Sequence, residues 1–125
     1  MSIRSFFCLG LLLVLPVLTH AQQAMEMYIP IGASVGVSNI SSVIGKVAAV
    51  DERNKTFTIN DASGILTIAV PDNTPVWLDR SKVGDSNQIG STADLKAEMT
   101  VEVKYREATR SPALTAEWIK IEIPR

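Results

Sequence analysis

Between Val43 and Ile68 the apolar side chains recur at every second position, interrupted twice by polar turns. That rhythm restricts the segment to half-buried β-strands. In Val43–Val50, Gly45, Val47 and Ala49 share one side. Asp51-Glu52-Arg53-Asn54-Lys55 forms a polar turn, after which Thr56-Phe57-Thr58-Ile59 resumes the period. Pairing Ala49 with Phe57 and Val47 with Ile59 puts all four on one face. The next turn, Asp61-Ala62-Ser63-Gly64, offers Gly64 for a positive φ. Pairing Ile59 with Leu66 and Phe57 with Ile68 keeps the apolar face intact, and Thr58 meets Thr67 on the other face. Two hairpins sharing an inner face predict a three-stranded meander.

Pro71 and Pro75 bracket a corner before Val76-Trp77-Leu78, and Asp79 to Ala93 is a long polar loop. Ser91-x-x-Asp94 has capping-box spacing, which predicts a short helix over Asp94–Glu98. Thr100–Arg106 alternates with Val101, Val103 and Tyr105 inward, and Leu114–Ile123 places Ile119, Ile121 and Ile123 on one face. Five short strands with one inter-strand helix predict an all-β, five-stranded Greek-key barrel of the OB type. Closure removes the edge strands that an open meander sandwich, the alternative, would leave.

Residues 1–21 read as a secretory signal peptide. Arg4 supplies the positive end, Phe6–Leu18 is a thirteen-residue apolar stretch, and Ala21 ends a cleavage site. Thirteen residues are too few for a membrane-spanning helix, which needs about 20. The expected location is therefore the periplasm or the exterior, with no span after leader removal. Cleavage there would remove Cys8 and His20, the single cysteine and single histidine of the 125 residues. Thiolate nucleophiles, histidine bases and Cys/His zinc sites would go with them. No enzyme is expected, and no catalytic residue or cofactor is assigned. The formal net charge of −1 becomes −2 without Arg4, which provides no general attraction to nucleic acid. Residues 22–42, punctuated by Pro30, Gly32 and Gly36, read as an N-terminal arm or linker with a short strand at Val35–Val37. Residues 43–125 form the barrel domain.

Three blocks resemble a known family: Ile44-Gly45-Lys46-Val47-Ala48-Ala49-Val50-Asp51 with Thr56-Phe57-Thr58-Ile59; Asp94-Leu95-Lys96-x-x-Met99-x-Val101-Glu102-Val103-Lys104-Tyr105; and Ala116-x-x-Ile119. Together they are similar to exported bacterial small β-barrel domains whose function is unknown, over roughly residues 43–123. The resemblance implies the barrel and the exported compartment and supplies no catalytic residue. Where that family has a glycine after Leu95-Lys96, this chain has Ala97-Glu98, which favours a full helical turn over a tight one. A looser likeness is to periplasmic copper and silver barrels that use Met and His with a Trp over the metal.

The soft-ligand candidates for Cu(I) or Ag(I) are Met25 and Met27, which would share a face of an extended arm. Asp79, Ser81, Asp85 and Asn87 offer oxygens, but not in a calcium-loop pattern. If Val103 pairs with Ile119, Lys104 lies across from Trp118 and Glu102 from Lys120, all on the outer face. That makes Lys104, Arg106 and Trp118 candidates for an aromatic and basic platform, with Arg80, Lys82 and Arg110 adding charge. A β-bulge would turn Trp118 inward instead. The leading expectation is a binding module for a protein or polysaccharide. The alternatives are metal handling through Met25 and Met27, and a structural subunit whose arm adds to a neighbouring chain.

Overall fold

The computed structural model describes residues 25–125; the expected signal peptide, with Cys8 and His20, lies outside them. Seven strands follow in order: β1 Ser42–Asp51, β2 Thr56–Asp61, β3 Gly64–Ala69, β4 Val76–Asp79, β5 Gln88–Ile89, β6 Thr100–Tyr105 and β7 Ala113–Glu122. The meander β1–β2–β3 is antiparallel, β1 pairs β6, β6 pairs β7, and β7 returns parallel to β3. That circuit closes a five-stranded Greek-key barrel of the OB type.

Strand β7 is the hub. Its first half pairs with β3 from Ala113 to Thr115 and its second half pairs with β4 from Ile119 to Glu122. The Pro71–Pro75 corner lets the chain leave one half and rejoin the other, and the Ile119 N–H donates to the Pro75 carbonyl at 3.0 Å. β5 then extends the sheet beside β4.

The inner face is apolar throughout. Val43, Val47, Phe57, Ile59, Ile68, Val101, Val103, Ile119 and Ile121 are all buried in one cluster. Burying each such side chain contributes about 1.5–3 kcal/mol. Gly45 is required where β1 crosses β2, because a Cβ there would lie 2.3 Å from the Asn60 carbonyl oxygen.

Three local expectations are corrected. Val47 pairs Ile59 and Thr58 pairs Thr67 as read, but Ala49 meets Thr58 and Val50 meets Phe57. Ala48 is the extra residue of a bulge, and it leaves Ala49 exposed. The segment after Ser91 is a single 3-10 turn, Thr92–Asp94, although Asp94 Oδ2 does accept the Ser91 N–H at 2.9 Å. The chain then turns tightly after all. Glu98 takes φ 74°, a conformation that suits glycine, and the Met99 N–H donates to the Lys96 carbonyl at 3.2 Å. The Glu98 N–H to the Val47 carbonyl (2.8 Å) and the Val47 N–H to the Met99 carbonyl (2.9 Å) hold that strained residue against the β1 bulge.

The expected strand at Val35–Val37 is instead a run of turns. The Ser38 N–H donates to the Ser34 carbonyl at 2.9 Å and the Ser41 N–H to the Val37 carbonyl at 2.9 Å. Residues 25–41 fold back across the outer face of β4, β6 and β7 of their own barrel.

Candidate functional site

Period-two alternation places Glu102 and Lys104 of β6, Trp118 and Lys120 of β7, and Trp77 and Asp79 of β4 on the outer side of the barrel wall. The register agrees with expectation: Glu102 faces Lys120 and Lys104 faces Trp118. Charged residues on the outer side of a barrel wall are ordinarily solvated. The structure shows the opposite. Glu102 and Lys120 are 0% exposed and Asp79 is 3% exposed, because the arm lies over them.

Each buried charge is matched to the arm. Lys120 Nζ donates to Glu26 Oε1 at 2.9 Å and to the Ile29 carbonyl at 2.8 Å. Asp79 Oδ2 accepts the Ile31 N–H at 2.8 Å, while its other oxygen accepts the Ser81 hydroxyl and N–H. Glu102 accepts the Gly32 N–H at 3.0 Å and the hydroxyls of Ser38 and Ser42, each at 2.7 Å. Asn87 Nδ2 adds a bond to the Met27 carbonyl at 3.0 Å. Burial opposes charge on Asp79, but the Ile31 N–H, the two Ser81 donors and the Lys120 charge outweigh it and hold the carboxyl below its ordinary range.

Trp118 is therefore corrected as a surface platform. It is 2% exposed, its ring centroid lies 5.6 Å from that of Trp77, and Lys120 Nζ sits 4.6 Å from its ring centre. The anticipated bulge exists, since Lys104 pairs Trp118 and Tyr105 pairs Ala116, leaving Glu117 extra. It does not turn Trp118 into the barrel; the arm buries the ring from outside.

The other candidates do not converge. Lys104 is half-buried and ion-paired with Glu117, and Arg106 is exposed at the end of β6. Arg80 pairs with Asp85, Lys82 with Glu122, and Arg110 with Asp61. Those partners cancel the positive field that a basic platform needs. Met25 and Met27 also diverge, because residues 25–29 form a helical turn, with the Tyr28 N–H on the Met25 carbonyl at 3.2 Å and the Ile29 N–H on the Glu26 carbonyl at 3.1 Å. Two residues apart in a helical turn face roughly opposite directions. Among the described residues no group of three or more His, Cys, Asp or Glu gathers to hold a metal. Loop oxygens of Asp79, Ser81, Asp85 and Asn87 are engaged in bonds within the protein, Asn87 Oδ1 taking the Arg80 N–H at 2.8 Å.

What the fold does open is a groove of about 650 Å³ between the arm and the end of β6–β7. Ile29, Ala33, Val35 and Val37 form its arm side, Trp118 and the Lys104–Glu117 pair its sheet side, and Met25 and Glu26 one end. Apolar side chains stand free at and near its rim: Val35 is 99% exposed, Met25 70% and Tyr28 64%.

No family model and no curated protein sequence matches the chain. A solved structure that it resembles is described as "Crystal structure of Ag(I)CusF", at 16% identity and a TM-score of 0.43, over 64% of this chain and 93% of that one. A likeness at that level transfers neither a residue role nor a ligand. Among the described residues no helix is long and apolar enough to cross a membrane.

Proposed function

We propose that the protein is an exported, non-enzymatic binding module whose recognition surface is the groove between the arm and the β6–β7 sheet, and whose ligand is an apolar segment of another protein. The observation behind this reading is the groove itself, about 650 Å³ and bordered by Val35 and Met25 standing free of the fold. Exposed apolar side chains grouped around a concavity mark protein contact sites. A polysaccharide is the weaker choice, because sugar stacking needs a free aromatic face and Trp118 is already buried against Trp77 and Lys120. The charged groups of the outer face support the non-enzymatic reading, since Glu102, Lys120 and Asp79 are bonded to the arm.

The test is photo-crosslinking in extract of the exported fraction, followed by capture on the immobilised full chain. Val35→Asp should abolish capture of a crosslinked partner, while Val83→Asp, a control at a 39% exposed valine elsewhere, should leave it intact. Equal capture by both variants would refute the groove.

A second reading has one observation in its favour: Met25 lines the same groove as Trp118, and an exposed thioether is a ligand for soft cations. Titration with Ag(I) followed on the methionine methyl signals decides it. No shift at Met25 would end that reading.

A further inference from the structure

We propose that the outer face of β4, β6 and β7 is a peptide acceptor, filled here by residues 26–32 of the same chain, which takes the identical segment from a second copy. This goes beyond the groove reading, with which it shares Glu26 and Ile29, and rests on the acceptor charges Glu102, Lys120 and Asp79. The acceptor consists of three charged side chains that barely touch solvent, Glu102, Lys120 and Asp79. They engage Glu26 and the backbone of Ile29, Ile31 and Gly32. Three of those four contacts go to main chain, so they read the course of a short segment rather than its side chains. Nothing in them depends on which copy supplies the segment.

The connection makes exchange feasible. The bonds to Glu102, Lys120 and Asp79 fall before residue 33 except that of Ser38, and residues 33–41, in which Ser34 is buried and the Ile40 and Ser41 carbonyls accept from Tyr105, lead to β1 through turns. Val35 and Ile40 in that stretch are 99% and 69% exposed, and Asn39 is held at φ 62°. Opening the turns exposes no large apolar side chain that is fully buried, at the cost of Ser34 burial and the two bonds to Tyr105. Nine residues extended span about 30 Å, enough to reach a neighbour's face. Exchange of an identical element by a hinge of this kind is a low-cost route to a dimer. A short tether competes at about millimolar effective concentration, so exchange should appear as protein approaches that level.

The first experiment uses Gly32→Pro in the full chain. It removes the N–H that bonds to Glu102 and cannot adopt φ 82°, yet it lies outside the barrel strands, where an added Cβ makes only an ordinary 3.8 Å contact with Ile44 Cδ1. The variant should show red-shifted emission from Trp77 and Trp118, and a synthetic peptide of residues 25–34 should shift that emission back to the blue. Adding Lys120→Met should weaken the peptide response at least tenfold. A Gly32→Pro protein that keeps its cooperative melt but ignores millimolar peptide would overturn the proposal. The second experiment needs no variant. Isotopically heavy and light chains are unfolded together, refolded at about millimolar concentration and joined with a zero-length carboxyl–amine crosslinker. Heavy-to-light linkage between Glu26 and Lys120 is expected; linkage only within one isotope would overturn the idea.

Discussion

Strands β6 and β7 have two faces that are buried equally and held differently. On the inner side Val101, Val103, Ile119 and Ile121 are each 0% exposed, and so, on the outer side, are Glu102 and Lys120. The inner face is stabilised by removal of apolar area from water, a force without direction that tolerates small changes of shape. The outer face depends on a handful of directed bonds to one segment, and each lost bond strands a charge away from water. Burial alone therefore says little about what a residue does here. The covering layer decides.

The largest test of that contrast is Lys120→Ala, which leaves Glu26 and the Ile29 carbonyl without their donor. It should lower stability by about 3–5 kcal/mol in urea unfolding. A loss below about 1 kcal/mol, the worth of an exposed pair, would show that the arm does not seal the face. Glu102→Gln keeps the shape but weakens the acceptor of three donors, and a loss of about 1–3 kcal/mol is expected. Its inner counterpart, Ile121→Val, should cost only about 0.5–1.5 kcal/mol. If the order is reversed, the outer face is the more forgiving one and the comparison fails.

Acid sharpens the same contrast, because the buried carboxyls Glu102 and Asp79 lie on the outer face and the inner cluster has none. The folded Asp79 carboxyl is held below its ordinary value, so its contribution is complete above about pH 4, the unfolded value. That contribution is lost as pH falls through the lower, folded value. Melting temperature should decline over that window, and Asp79→Asn should flatten the decline. An unchanged slope in the variant would remove Asp79 from the latch. The smallest effect expected is a gain: Glu98→Gly should stabilise by about 1 kcal/mol, since glycine adopts φ 74° without the side-chain penalty. A loss there would mean that the Glu98 side chain makes a contribution of its own.

Much of the barrel was legible because period-two alternation encodes which side chain faces inward. Thr58 opposite Thr67, Ile59 opposite Leu66 and Val103 opposite Ile119 all follow from it. The bulge at Ala48 was not legible, and the one beside Trp118 was foreseen only as an alternative without its position, since an inserted residue looks like any other member of its strand until the partner is seen. Lys120 and Glu102 misled for a related reason. Alternation assigns a residue to the outer side but cannot report whether another layer covers it, and the arm that does so has no periodicity of its own. The one usable hint was composition: Ile29-Pro30-Ile31 is too apolar for a segment left in solvent.

Sequence separation gives the latch a history as well as a geometry. Glu26 is 94 residues from Lys120, and Ile29 is 91 from it. During synthesis, at about 5–20 residues per second, the arm emerges some ninety residues ahead of its anchor. For those seconds the nascent chain displays Ile29 and Ile31, which the folded protein half-buries, with nowhere to put them. Docking must then follow the joining of β7 to the wall, and a chaperone that shields the arm in the interval would act on the very segment that later seals the outer face.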